Sequence, residues 1–508
     1  MSKARRKQLT LTGSALTLAT LDEFDNEDVR VALDAKARER MKQSVETVRH
    51  MVASGTICYG INTGFGAFAN RQIPAEKVRQ LQYNLVRSHC AGVGQPLGEE
   101  LVRIIMLLKA NSLAVGRSGI RPEVVDTLLA LLNSDVLPLI PAKGSVGASG
   151  DLAPLAHLTM ALIGEGEARH RGSVLNGQQV LAAAGCEPVM LEAKEGLAML
   201  NGTQVSTALA VQGLMRAGRL LDSAIVIGAL TVEGLAGSHK PFDERIHEAR
   251  GLPGQLAVAK HFRSLLDSSE INRSHEDCDR VQDPYAVRCM PQVFGAVHDT
   301  LTHAQGILEA ECNGVSDNPL IFGEEVISGG NFHGAPIGFV SDFLSIAVAD
   351  LASMSERRTD LLERRINPNL NMFLASEPGL ESGFMIAHVS AAALCSENKT
   401  LAHPASVDSI PTSAGQEDHV SMSTWAGLKL QQICENAARV LAIELLASAR
   451  AIDVQRPLKS TAELERLHHL VRGAVPFEAH DHRLDRAIET LAGLIHNGSI
   501  ASFLKSKT

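Results

Sequence analysis

The chain has 508 residues, 45% of them hydrophobic, which is enough to bury one large core or two to three ordinary ones. A formal net charge of -9, with Lys and Arg scattered, leaves no basic face to release phosphate counterions and excludes a general nucleic-acid binder. The basic start MSKARRKQLTLTG is not followed by an apolar run, and no later stretch offers about 18 uncharged apolar residues, so the expectation is a cytoplasmic protein with no membrane segment.

In chain order, the first 200 residues read as short helical segments separated by glycine-rich loops at 59–66 (YGINTGFG), 91–94 (AGVG) and 144–150 (GSVGASG). Loops of this kind carry chemistry more often than helices do. From there the pattern changes to long helices with few charges, expected at 205–235, 291–311 (opening on a proline at a first helical position), 335–365, 383–401 and 419–453. Helices apolar nearly all round must be enclosed by others, which argues for a bundle core continued across subunit contacts, and hence an oligomer. The expected fold class is mainly α, a long-helix bundle core with a loop-rich N-terminal catalytic domain. A composition shift near residue 205 divides it into 1–205 and 206–508.

Eight cysteines (58, 90, 186, 278, 289, 312, 395 and 434) are spread singly with no C-x-x-C pair, which fits free thiols in a reducing compartment. The runs at 274–279 (SHEDCD) and 417–419 (EDH) place possible ligands close together. Neither has H-E-x-x-H or cysteine-pair spacing, and no metal is expected. His468, His469, His480, His482 and His496 read as a solvated helical face rather than a metal site.

The stretch 144–157, GSVGASGDLAPLAH, carries the sharpest question. As a serine nucleophile elbow it fails, because the last position of Gly147-Ala148-Ser149-Gly150-Asp151 is Asp where G-x-S-x-G needs Gly. As a phosphate loop it lacks the Gly-Lys-Ser/Thr ending. Two readings remain: a glycine-rich turn capping the next helix, or a loop of small residues tight enough for one amide nitrogen to reach a carbonyl two residues back.

Eight blocks in the same order identify a family resemblance: TICYGINTGFG, SHCAGVG, GSVGASGDLAPLAH, EGLAMLNGTQVS, RVQDPYAVRC, SDNPLIFGEEVISGGNFHG, SGFMIAHVSAAALCSENKTLAHP and SIPTSAGQEDHVSM. Over roughly residues 56–450 the chain resembles the aromatic amino acid ammonia-lyases and aminomutases. The resemblance implies that Ala148, Ser149 and Gly150 cyclise with loss of two waters to 4-methylideneimidazol-5-one (MIO), an electrophile built without any external cofactor. It also implies a homotetramer with shared active sites. Tyr59 matches the family's base for the β-proton, a phenol whose ordinary pKa of about 10 the site would have to lower. Tyr285 matches the second active-site tyrosine. Arg288 matches the carboxylate anchor, a role that its planar two-pronged donor suits. Asn201 and Gln282 match amide donors near the carboxylate and the MIO oxygen, and Phe332 a pocket wall. His89, with Ser88, lies against the substrate ring in the resemblance, and Met385 falls in the pocket. Glu417 stands where members acting on phenylalanine have glutamine; it suits an imidazole N–H and points to L-histidine, with trans-urocanate as product. Tyrosine elimination or 2,3-amino transfer is the alternative, since some tyrosine aminomutases share the glutamate. A noncatalytic helical assembly that kept the fold is the reading from another class.

Overall fold

A computed structural model describes residues 7–27, 29–276 and 280–505 of the chain. The helices that matter below are α1 (Ala35–Ser54), α2 (Val78–His89), α3 (Glu99–Ala114), α4 (Pro122–Asn133), α5 (Leu152–Leu162), α6 (Glu195–Leu200), α7 (Gln204–Gly234), α8 (Met290–Cys312), α9 (Ala335–Glu363), α10 (Met385–Leu401) and α11 (Ser423–Val454). Strands are short and sit among the loops: a parallel pair Lys7–Leu11 with Val29–Leu33, an antiparallel pair Val93–Pro96 with Pro141–Lys143, a three-stranded antiparallel patch, and the hairpin Leu320–Phe322 with Glu325–Ile327. The fold is mainly α, as expected.

The five long helices begin and end within a few residues of the expected positions. The largest difference is at α11, which starts at Ser423, four residues after the expected start at 419. Met422, at φ +54, turns the chain there, and the segment before it serves the site described below.

Contacts divide the chain into two compact units. The first comprises residues 1–212, 305–341 and 404–428; the second comprises 213–304, 342–403 and 429–508. The division falls inside α7, α8, α9 and α11, whereas the expected cut at 205 falls at the start of α7.

In the first unit, α3 and α4 are buried along most of their lengths, because IIMLL and VV-LL-LL patterns leave few polar positions to face water. In the second unit the core admits a fully buried ion pair. Arg358 and Glu444 are both 0% exposed and meet at 2.5 Å. Thr231 and Ser355 complete the carboxylate's set of donors at 2.6 Å each, and the guanidinium lies over the Phe294 ring. A buried charge pair survives when its remaining lone pairs are satisfied in this way.

Among the described residues one helix, α9, is long and apolar enough to cross a membrane by length and composition. Asp342 and Asp350 interrupt it, and 61% of its most apolar window is buried. The described cysteines are all free thiols; Cys278 lies outside the described residues.

Candidate active site

In the first unit three helix ends converge. α2, α5 and α6 pack pairwise, so the end of α2 (His89), the residues before α5 (Ala148 to Asp151) and the residue after α6 (Asn201) lie together. The loop 144–150 is held on both sides by backbone and hydroxyl contacts. Ser421 Oγ donates to Gly147 O at 2.9 Å, and the Met422 amide to Val146 O at 2.9 Å. Across the loop, the Asp151 amide donates to Gly202 O at 2.7 Å.

Two of the glycines are dictated by this packing. Gly147 (φ +66) and Gly150 (φ +72) are left-handed, and a Cβ on Gly150 would meet Gly202 O at 2.2 Å. Only glycine allows both the angle and the approach. A stretch that reads as flexible is therefore pinned.

Asp151 is the pin. It is fully buried, and its carboxylate accepts from the Ser206 amide (2.8 Å), Ser206 Oγ (2.9 Å), Thr424 Oγ1 (2.7 Å) and Ser145 Oγ (3.0 Å). Burial pushes its pKa above the ordinary carboxylate value, against the pull of those four donors.

The side chains around Ala148, Ser149 and Gly150 are specific. Asn201 Nδ2 donates to Ser149 O at 2.8 Å, while Asn201 Oδ1 is buried without a partner among the described residues. Ser149 Oγ donates to Glu417 Oε1 at 2.6 Å. The other oxygen of Glu417 accepts from Thr412 Oγ1 (2.7 Å) and Ser413 Oγ (2.6 Å). Burial would raise the Glu417 pKa, but the three hydroxyls and His89 outweigh it and hold it below the ordinary range.

His89 goes the other way: burial lowers its pKa, despite the Leu85 carbonyl and Glu417. Its Nδ1 lies 2.8 Å from Leu85 O, which can only accept, so Nδ1 carries the proton and Nε2 of the neutral ring is an acceptor. Tyr59 sits half-buried in its loop, with the Gly66 amide donating to its oxygen at 3.4 Å. The turn Gly66–Phe68 packs against Ser413–Gly415, which brings the Tyr59 loop to the segment that carries Glu417. Phe332 is half-buried between Asn331, whose amide donates to Val315 O, and His333, which stacks on His419 at 5.8 Å.

The second unit holds the remaining four expected residues. Arg280 pairs with Asp283 at 3.0 Å, and Asp283 accepts the Ser238 amide at 2.7 Å, which anchors the base of the segment. Gln282, between the two anchoring residues, is exposed, and Tyr285, beyond them, is 71% exposed. Arg288 lies over the Tyr285 ring at 4.6 Å and spends Nε on Asp283 O at 3.0 Å; the Nη1 and Nη2 edge is the one that can grip a ligand. Met385 opens α10, and its position is set by Asp481, whose two oxygens accept the Ser382 and Gly383 amides at 2.8 and 2.9 Å.

The expected solvated helical face of C-terminal histidines is met only in part: His469 is exposed on the helix Ala462–Ala474, and His480 and His482 are exposed, whereas His468 and His496 are drawn out of solvent into pairs with carboxylates. His468 is 9% exposed and pairs with Asp453 at 2.7 Å, and His496 reaches Glu435 at 3.3 Å. His480 and His482 lie outside helices, and His480 pairs with Glu381 at 2.6 Å. Carboxylates elsewhere in the sequence pair with His468, His480 and His496, which local spacing could not show. Among the described residues no group of three His, Cys, Asp or Glu could hold a metal ion; residues 277–279 of the SHEDCD run lie outside them.

Three residues important to this geometry were not singled out from sequence. Thr412 and Ser413 lie inside a recognised block, and their signal is two hydroxyls a turn ahead of a glutamate. Asp151 has a plainer one, an acid at the mouth of an apolar helix.

A helical lyase-like body with a pinned Ala-Ser-Gly loop defines a class, and residues 16–473 match the aromatic amino acid lyase family, to which the chain belongs. Among its relatives, the histidine ammonia-lyase of Idiomarina loihiensis is 50% identical over 96% of both chains. The crystal structure of histidine ammonia-lyase from Trypanosoma cruzi superposes with TM-score 0.91 at 38% identity, covering 98% of this chain and 95% of that one. Tyrosine aminomutase from Streptomyces globisporus superposes with TM-score 0.93 at 35% identity, covering 99% of both. The fold scores do not separate the two activities.

Proposed function

We propose that this chain eliminates ammonia non-oxidatively from L-histidine to give trans-urocanate, using an MIO formed from Ala148, Ser149 and Gly150. The observation that carries the substrate assignment is sequence identity: 50% with a histidine ammonia-lyase over 96% of the chain, against 35% with a tyrosine aminomutase.

The residues fit the ring. Closure would join Gly150 N to the Ala148 carbonyl carbon, losing the Ala148 oxygen as one water and Ser149 Oγ with the α-hydrogen as another. Ser149 O remains as the ring carbonyl, and it is the oxygen on which Asn201 Nδ2 sits at 2.8 Å. The ring supplies an electrophilic carbon to which the substrate amine adds, making the nitrogen a better leaving group. The chain's own residues do the rest.

Loss of Ser149 Oγ takes away one of the three hydroxyl donors on Glu417 and leaves Oε1 open as an acceptor. An imidazole N–H fills that vacancy, whereas phenylalanine has no donor to offer. Neutral His89 presents Nε2 as a second acceptor against the ring. Asn201 Oδ1, buried without a partner, suits the substrate's amine hydrogens. Tyr59 takes the β-proton. Arg288 holds the carboxylate through its free edge, with Gln282 and Tyr285 beside it, and so fixes the geometry before reaction. Phe332 and Met385 wall the pocket.

We further propose a homotetramer with shared active sites. Phe343 and Ile346 on α9 and Ile386 and Val389 on α10 are between 44% and 62% exposed at helical spacing, an apolar surface of the kind that subunits cover. The free thiols suit a reducing compartment, and we place the enzyme in the cytoplasm.

Incubating the purified chain with L-histidine and L-tyrosine tests the reading: urocanate is expected, its absence would sink the assignment, and coumarate or β-tyrosine would establish the alternative. Intact mass tests the ring, with a deficit of two waters expected.

A further inference from the structure

Behind the electrophile lies a lysine that none of the steps above uses. Lys109 sits on α3 in the run IIMLLKA and is 1% exposed. Its Nζ donates to Asn201 O at 2.7 Å and reaches Gln204 Oε1 at 3.4 Å. Asn201 is the residue whose side chain donates to Ser149 O, so a single residue links Lys109 to the oxygen that ring closure retains. A position needing only to be filled would take the Leu or Ile of its neighbours, because a buried ammonium costs free energy that an apolar side chain does not.

The charged groups around it are otherwise engaged. Asp317 pairs with Lys194 at 2.7 Å, Asp151 is held by Ser206, Thr424 and Ser145, and Glu311 accepts from Thr203 Oγ1. Burial lowers the Lys109 pKa to about 7, with Asp317 opposing the shift, Lys194 adding to it and Asp151 opposing it. Its hydrogen bonds go to Asn201 and Gln204, not to these carboxylates.

We propose that Lys109 is a positioning residue for the electrophile: as the ammonium it holds the Asn201 backbone and so keeps the Asn201 amide on the Ser149 carbonyl oxygen. The inference rests on the ring reading above. A donor fixed on that oxygen draws electron density from the ring and makes its exocyclic carbon a better acceptor for an amine, and a small displacement forfeits that effect.

Four measurements test it. Wild-type intact mass comes first: if both waters are still present, the ring reading fails, and that failure is visible before Lys109 is touched. In Lys109→Met the expected result is a retained mass deficit, kcat lower by about tenfold to a hundredfold, and KM within about twofold. A folded Lys109→Met with wild-type kcat overturns the proposal, and so does one that keeps both waters, since the lysine would then serve ring formation instead. In an Asn201→Ala background, Lys109→Met should add little further loss; additive losses overturn action through Asn201. The fourth measurement leaves Lys109 intact and so holds even if Lys109→Met does not fold. The ultraviolet difference spectrum of wild type against Ser149→Ala, taken from about pH 6 to about pH 9, should shift as the ammonium titrates. A band that stays constant over that range overturns the proposal.

Discussion

The two units hold their function-bearing residues in opposite ways. In the first, Ala148 to Asp151 is pinned by serine and threonine hydroxyls, the Gly202 carbonyl and the Asn201 amide, and Asp151 has four donors on a fully buried carboxylate. In the second, Arg280 and Asp283 tie down only the base of the segment, and Tyr285 stands 71% exposed. Making an electrophile from backbone atoms needs strict geometry inside one unit, whereas gripping a carboxylate needs only a cation and something to exclude water. Ring formation and substrate binding should therefore fail separately when each region is perturbed.

The largest effect is expected at the pinned loop. On the proposed reading Ser149→Ala removes the hydroxyl whose loss would create the methylidene, so the mass deficit should vanish and kcat fall by about a thousandfold or more. Full activity in that variant would refute the covalent reading. Next comes Arg288→Ala, which should raise KM by about a hundredfold, the order expected when a desolvated carboxylate loses its charged partner, with the mass deficit unchanged. If Arg288→Ala abolished the deficit instead, the two regions would not be separable.

Glu417→Gln follows. The amide keeps the shape but has one acceptor oxygen in place of two, so kcat/KM for histidine should fall by about tenfold to a hundredfold, with less effect on any residual reaction of tyrosine. Equal losses on both substrates would remove the specificity role and leave Glu417 as scaffold.

The long helices were legible from the sequence because apolar residues round the whole circumference have only one stable solution, enclosure by other helices. The site was legible as motifs, but its wiring was not. Ser149 and Glu417 are 268 residues apart and meet at 2.6 Å; Asp481 caps the turn before Met385 from 98 residues away. Such pairs depend on topology, and periodicity carries no record of them. The same limit explains two of the histidines: His468 and His496 look like polar surface until Asp453 and Glu435 arrive from elsewhere. Lys109 did leave a trace, a lone charge in an apolar helical run, which reads as buried and therefore engaged.

The smallest effect concerns the second unit's own balance and would show whether its stability can be shifted without touching the loop. Glu363 is buried with neither carboxylate oxygen hydrogen-bonded among the described residues, in contrast to Asp151. Burial, reinforced by Asp360 and Glu356, pushes its pKa up to about 8. His388 engages Glu356 through Nε2 at 2.7 Å and leaves Nδ1 3.8 Å from Glu363. The folded state thus binds a proton that the unfolded chain releases above its ordinary value of 4.5. Stability from this group is fully present below that value and is lost as pH rises towards about 8. Glu363→Gln, which mimics the protonated form, should flatten that slope and raise Tm by about 1–3 °C above pH 8 while changing little at pH 5. Thermal melts at both pH values, with kcat measured alongside, check it. An unchanged slope would mean that Glu363 is ionised in the folded protein, and a change in kcat would tie this buried acid to the reaction instead of to the stability of its unit.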